Sequence, residues 1–167
     1  MSIYHVILVA LDGSATSDKA LDEAIRLARL SGGRLRLLHV VDEMRYVTGF
    51  EPAMNYLNEI VPLMCSAGEK LLAQGRQQAI DQGVQADCVL IEQGPSRVCD
   101  YVSEQARLAG ADLIVVGSHG RRGVGRVLLG SDAEQIVRHA PVPVLVVRGS
   151  ADGAPAQAAT VPKPAKP

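Results

Sequence analysis

The chain of 167 residues has no tryptophan, one phenylalanine and three cysteines. Aromatic residues make up only 3%. That excludes a base-stacking surface for single-stranded nucleic acid and leaves the core to valine, leucine, isoleucine and alanine. Cys65, Cys88 and Cys99 are odd in number and form no C-x-x-C pair or metal-ligand spacing. A disulfide framework or a zinc site is therefore not expected, and the thiols read as those of a reducing cytosol. No apolar run is long enough to span a bilayer. The opening "MSIYHVILVALDGS" lacks the basic start of a secretory signal. The expectation is a cytoplasmic protein with no membrane partner. A net charge of -1 provides no basic excess for binding nucleic acid in general, so any cationic site must be local.

Against these absences stand 47% hydrophobic and 21% charged residues, the balance of a globular domain. The pattern alternates between two periods. "HVILVALD" (5–12), "RLRLLHVVD" (34–42), "ADCVLIEQG" (86–94), "ADLIVVG" (111–117) and "VPVLVVR" (142–148) are short, β-branched and apolar. Such runs predict buried strands. Between them lie helical spacings: one capped by Ser14 or Ser17 and ended by Gly32-Gly33, one over 63–82 despite Gly68 and Gly75, one starting at Pro95, and one over 132–139. Residues 43–62 give no clear period. The alternation predicts an α/β fold: an open, doubly wound, parallel five-stranded sheet with helices on both faces. Pro141 and Pro143 imply that the fifth strand starts late or lies at an edge. One domain is expected over 1–149. The Ala/Pro-rich stretch 150–167 has too little apolar surface to offset its ordering entropy, and a disordered tail is expected.

Ligands of open α/β sheets bind at the carboxyl ends of the strands, where the strand order reverses. Two loops at such ends carry unusual chemistry. "DGS" (Asp12-Gly13-Ser14) follows the first strand. "GSHGRRGVGRVLLGS" (117–131) follows the fourth and holds five glycines, three arginines and no acid. Glycines let backbone N–H groups approach a polyphosphate closely, and the helix that follows adds its unpaired amides and positive dipole end. Ser131 suits an N-cap, with "SDAE" (131–134) as a capping box. A P-loop fails on this stretch, because Ser131 stands where its lysine belongs; a dinucleotide fingerprint fails at Leu128. The pattern present is G-x2-G-x9-G-[ST], on Gly117, Gly120, Gly130 and Ser131.

With "VALDGS", "LLHVVD", "DLIVVGSHGRRGVGRVLLGS" and "APVPVLVVR", the chain resembles the ATP-binding branch of the universal stress protein family, from about Ser2 to Arg148. The resemblance implies the strand order 3-2-1-4-5, which sets the first and fourth strands side by side. It implies ATP as the ligand, with Mg as an ion its phosphates could carry. It also implies homodimers joined at the edge strand Val144-Val147. Carried over by position, Asp12 would lie near ribose and phosphates. Val40 would read the adenine edge with its backbone, and Ala10 and Val116 would form apolar walls. Gly117 and Gly120 would fold the loop over ribose and phosphate, and Gly130 and Ser131 would donate to the outer phosphates. Asp132 follows Ser131 and places an acid beside the phosphates. The residues alone leave plainer roles open: Asp12 as a turn brace, His119 as a solvated loop histidine, the loop arginines as a soluble rim. The function expected is a stress-response or signalling module in which nucleotide occupancy alters conformation or assembly. The alternatives are a slow ATPase or nucleotidyl transferase, with Asp12 and His119 the only catalytic candidates, and a dimeric scaffold with a vestigial site.

Overall fold

Among the described residues, five strands and four helices realise the alternation of short apolar runs with helical spacings. The computed structural model describes residues 3–41, 60–92, 96–119 and 129–149. The unread segment up to residue 59, Gly120 and the loop arginines, and the tail expected over 150–167 lie outside the described residues. The strands are β1 (Val6–Ala10), β2 (Arg34–Val41), β3 (Ala86–Glu92), β4 (Leu113–Gly117) and β5 (Val144–Val147). They form one parallel sheet in the order β3-β2-β1-β4-β5.

The continuous apolar character of β1 and β4 follows from their central places. Ile7, Val9 and Val115 face one helical layer, and Leu8, Ile114 and Val116 face the other. The first layer is α1 (Ala15–Ser31) and α2 (Val61–Asp81). The second is α3 (Val98–Ala109) and α4 (Ser131–His139). Burying a Leu or Ile of this kind contributes about 1.5–3 kcal/mol. The chain winds from β1 toward β3 with its helices on one face. It then crosses to β4 and winds toward β5 with its helices on the other. The reversal falls between β1 and β4.

Ser14 caps α1, its side chain accepting from the Ser17 amide, and Gly32 ends the helix in the left-handed conformation at φ 68°. Gly68 and Gly75, which looked unfavourable in a helix, face the sheet. A Cβ on Gly68 would lie 2.6 Å from the His39 ring, and one on Gly75 would lie 3.2 Å from Leu21 and Leu37. They let α2 sit close on β2. α3 begins at Val98 rather than at Pro95, which lies outside the described residues. The reason is Asp100, whose carboxylate accepts the Arg97 amide at 3.1 Å and makes Arg97 the cap. The fifth strand starts late, as its prolines required, and lies at the sheet edge; the Pro143 carbonyl accepts from the Ile114 amide at 3.0 Å. Among the described residues no helix is long and apolar enough to cross a membrane.

At the amino ends of the strands, Asp112 ties β4 to β1. Its Oδ2 accepts the His5 amide at 2.7 Å and the Val6 amide at 3.0 Å. These two backbone donors, Val6 first, hold the Asp112 carboxyl below the usual carboxylate range. A carboxyl depressed by folding contributes stability above its unfolded pKa of about 3.9, and the contribution is lost as pH falls through the folded value. Asp112→Asn is therefore expected to unfold at lower temperature than the wild type at pH 7. Its melting temperature should also vary less with pH below pH 4. Parallel acid profiles for the two proteins would remove Asp112 from the acid response.

Candidate functional site

Where β1 leaves the sheet, the Leu11 amide donates to the Leu38 carbonyl at 2.8 Å, the last rung between β1 and β2. Asp12 then turns the chain. Its Oδ1 accepts the Ser14 amide at 2.9 Å, and Gly13 takes φ 76°. The turn-brace role is thus present. It engages one carboxylate oxygen, so it does not conflict with a ligand contact through the other.

The loop after β4 meets this turn directly. Thr16 Oγ1 donates to the His119 carbonyl, and Ser14 Oγ donates to the same carbonyl at 3.3 Å. A Cβ on Gly117 would lie 2.8 Å from the Thr16 carbonyl carbon and 3.0 Å from the Ser17 amide nitrogen. The first turn of α1 is therefore seated on Gly117, a need for glycine at this position that does not involve a ligand. Ser118 is buried, its amide donating to the Val147 carbonyl at 2.8 Å. Its hydroxyl lies 2.9 Å from His119 Nδ1. His119 is thus partly engaged with protein rather than simply solvated. Its Nε2 is buried with no hydrogen-bond partner among the described residues.

The chain returns from the loop at Gly130, whose amide donates to the Ser118 carbonyl at 2.8 Å. That bond fixes Gly130, not Ser131, as the N-cap of α4, in extended conformation. The capping box expected on Ser131 and Glu134 therefore does not form. The Glu134 amide goes to the Gly130 carbonyl at 2.9 Å, and its carboxylate to Arg138 at 2.8 Å. Ser131 becomes the first helical residue, with no side-chain cap bond at this terminus. The Gly130 amide is used within the protein. A ligand's anion at this helix start would meet the Ser131 hydroxyl and the amides of the first turn, which have no partner inside the helix.

The remaining candidates lie on one face. Ala10 is in register with Leu38 on one side and Val116 on the other. Ala10, Val40 and Val116 all belong to the layer that packs with α3 and α4. Val40 stands two residues past Leu38 on β2, beyond the last rung to β1. Its N–H and C=O point to the β1 side of the strand, as those of Leu38 do. They form a donor–acceptor pair that matches the ring nitrogen and exocyclic amino group of a purine such as adenine. The structure thus places Val40, Ala10, Val116 and the start of α4 along one face at the carboxyl ends of the strands. Asp12 and Gly117 lie at the reversal point, and Gly120 lies outside the described residues. The contacts of Ser14 and Thr16 with the His119 carbonyl, and the bonds made by Ser118 and His39, were not read from the sequence, in which Ser14 was only a candidate helix cap. The hydroxyl-rich "GSATS" was the available signal, but a hydroxyl run at a helix start reads equally well as capping alone. Among the described residues no cluster of three or more His, Cys, Asp or Glu could hold a metal ion. Asp12 remains a single carboxylate of the kind that supports a phosphate-bound Mg ion.

A family model described as the universal stress protein family matches residues 3–148. Universal stress protein YxiE of Bacillus subtilis is 33% identical over 151 residues, covering 87% of this chain and all of that one. The crystal structure of a universal stress protein family member from Burkholderia pseudomallei is 33% identical, with a TM-score of 0.68 over 88% of this chain and 98% of that one. A universal stress protein crystallised in complex with cAMP is 25% identical, with a TM-score of 0.60 over 87% of this chain and 97% of that one.

Proposed function

Because the chain belongs to the universal stress protein family, we propose that it is a cytoplasmic adenine-nucleotide-binding module of stress response or signalling, with ATP as its ligand. The observation that carries this reading is the Val40 peptide edge. It extends past the end of β1, on the same face as Ala10, Val116 and the start of α4. Adenine fits the edge and the apolar residues, and the phosphates fit the helix start. Asp12 would serve the ribose or a Mg ion on the phosphates, and Gly120 and Ser131 would complete the anion cradle. Binding of an adenine nucleotide by a relative supports the same ligand class.

Occupancy changes function only if bound and free states differ in their contacts. The loops after β1 and β4 are cross-linked through the His119 carbonyl, so a ligand at one loop reaches the other. The half-buried strand β5 (Val144–Val147), at the sheet edge, is where a second copy would pair. Isothermal titration is expected to show ATP binding with micromolar affinity, and light scattering a dimer. No heat with ATP, ADP or AMP would overturn the reading.

A second reading, slow hydrolysis, draws on the His119 ring and its contact with Ser118. Single-turnover phosphate release compared between the wild type and Asp12→Ala decides it: equal, negligible rates leave a binding module.

A further inference from the structure

The β1–β2 ladder ends where a side chain meets the next carbonyl. The rungs run from Arg34 to His5 and from Leu11 to Leu38. Continued by its regular repeat, the next rung would be from the Val40 amide to the Leu11 carbonyl. Among the described residues that bond is not made. The Leu11 carbonyl accepts instead from His39 Nδ1, at 2.7 Å. A carbonyl can only accept, so Nδ1 carries the proton. The half-buried ring is held in place by α2. Gly68 lies so close that a Cβ there would come within 2.6 Å of His39 Cδ2 and 2.7 Å of Leu90 Cδ1. A glycine in a helix is unfavourable by about 1 kcal/mol relative to alanine, and here its place is explained by the imidazole beneath it.

We propose that His39 is a positioning residue for purine recognition: by taking the Leu11 carbonyl, it keeps the Val40 amide out of the ladder and available to a ring nitrogen of the base. His39 does not touch the ligand in this scheme. It acts through Leu11 and through the turn at Asp12 that follows. The proposal rests on the adenine-nucleotide reading and adds to it a cause for the open peptide edge. It also explains why an otherwise apolar strand end carries an imidazole.

Two measurements separate this proposal from the nucleotide reading itself. The first needs no ligand: amide hydrogen exchange of the free protein, followed residue by residue by NMR. The Val40 amide is expected to exchange at least about tenfold faster than the Leu38 amide in the wild type. It should slow in His39→Phe, where the Leu11 carbonyl is released to accept it. His39→Leu serves if the larger ring unfolds the protein. Val40 protection that is already high in the wild type, or unchanged in the variant, overturns the proposal. The second compares ATP with inorganic tripolyphosphate. The variant is expected to lose about tenfold in ATP affinity, the worth of roughly one hydrogen bond, and to keep its tripolyphosphate affinity. His39→Gln, which restores a donor, should recover part of the ATP affinity. Equal losses for both ligands would mean a general structural role and overturn the assignment. If exchange behaves as expected and the wild type binds no nucleotide, the adenine reading fails and the purpose assigned to His39 fails with it.

Discussion

Gly117→Val is expected to destabilise the protein by about 2–4 kcal/mol, at the upper end of overpacking effects, and to weaken nucleotide binding. A Cβ at this position would stand 2.8 Å from both the carbonyl carbon and Oγ1 of Thr16, and 3.0 Å from the Ser17 amide nitrogen. Two of these three contacts are backbone atoms in the first turn of a helix, which cannot rotate aside. Relief requires α1 to lift from the end of β4, breaking the bonds from Ser14 and Thr16 to the His119 carbonyl. Urea unfolding measures the loss. Adding Thr16→Ala to the valine variant removes the hydroxyl contact and leaves the backbone clash, so only partial rescue is expected. Full rescue would show that the side chain alone had made glycine necessary.

Gly130→Val should do the opposite: a binding loss of at least about a hundredfold with about 1 kcal/mol or less of stability lost. Gly130 has φ -61° and ψ 150°, an extended conformation open to any residue. Its amide bond to Ser118 uses the backbone and survives the substitution. Valine has no conformational reason to harm the fold here. Its side chain is expected to take up space at the start of α4, where the phosphates are proposed to lie. Titration calorimetry and thermal unfolding on the same samples test the pair of expectations. A stable variant that binds ATP normally would move the phosphates away from this helix start. A variant that unfolds would assign Gly130 to folding instead.

Both glycines belong to one spaced motif, and the resemblance gave each a ligand role: Gly117 to fold the loop over ribose and phosphate, Gly130 to donate to the outer phosphates. They differ in the structure because one is pressed against a helix from the opposite layer and the other opens a helix of its own. The same gap separates expectation from finding at Ser131. Spacing to Glu134 suggested a capping box, but the Gly130 amide is anchored to Ser118 and the cap falls one residue earlier. At Pro95 a local rule for helix starts was overridden by the carboxylate of Asp100.

Much of the fold was legible along the chain. Short β-branched runs that stay apolar on both faces, separated by helical spacings, can be satisfied by a parallel sheet between two helical layers, and Pro141 and Pro143 sent the last strand to the margin. Those signals are local, because periodicity within one element records which of its faces meets water. Which donor meets which acceptor at the strand ends is different information. The His119 carbonyl receives the Ser14 hydroxyl from 105 residues away, and the Leu11 carbonyl receives the His39 ring from 28 residues away. Such meetings depend on strand order, register and the height at which each helix sits on the sheet. They are properties of the packed molecule, and no window of sequence contains them.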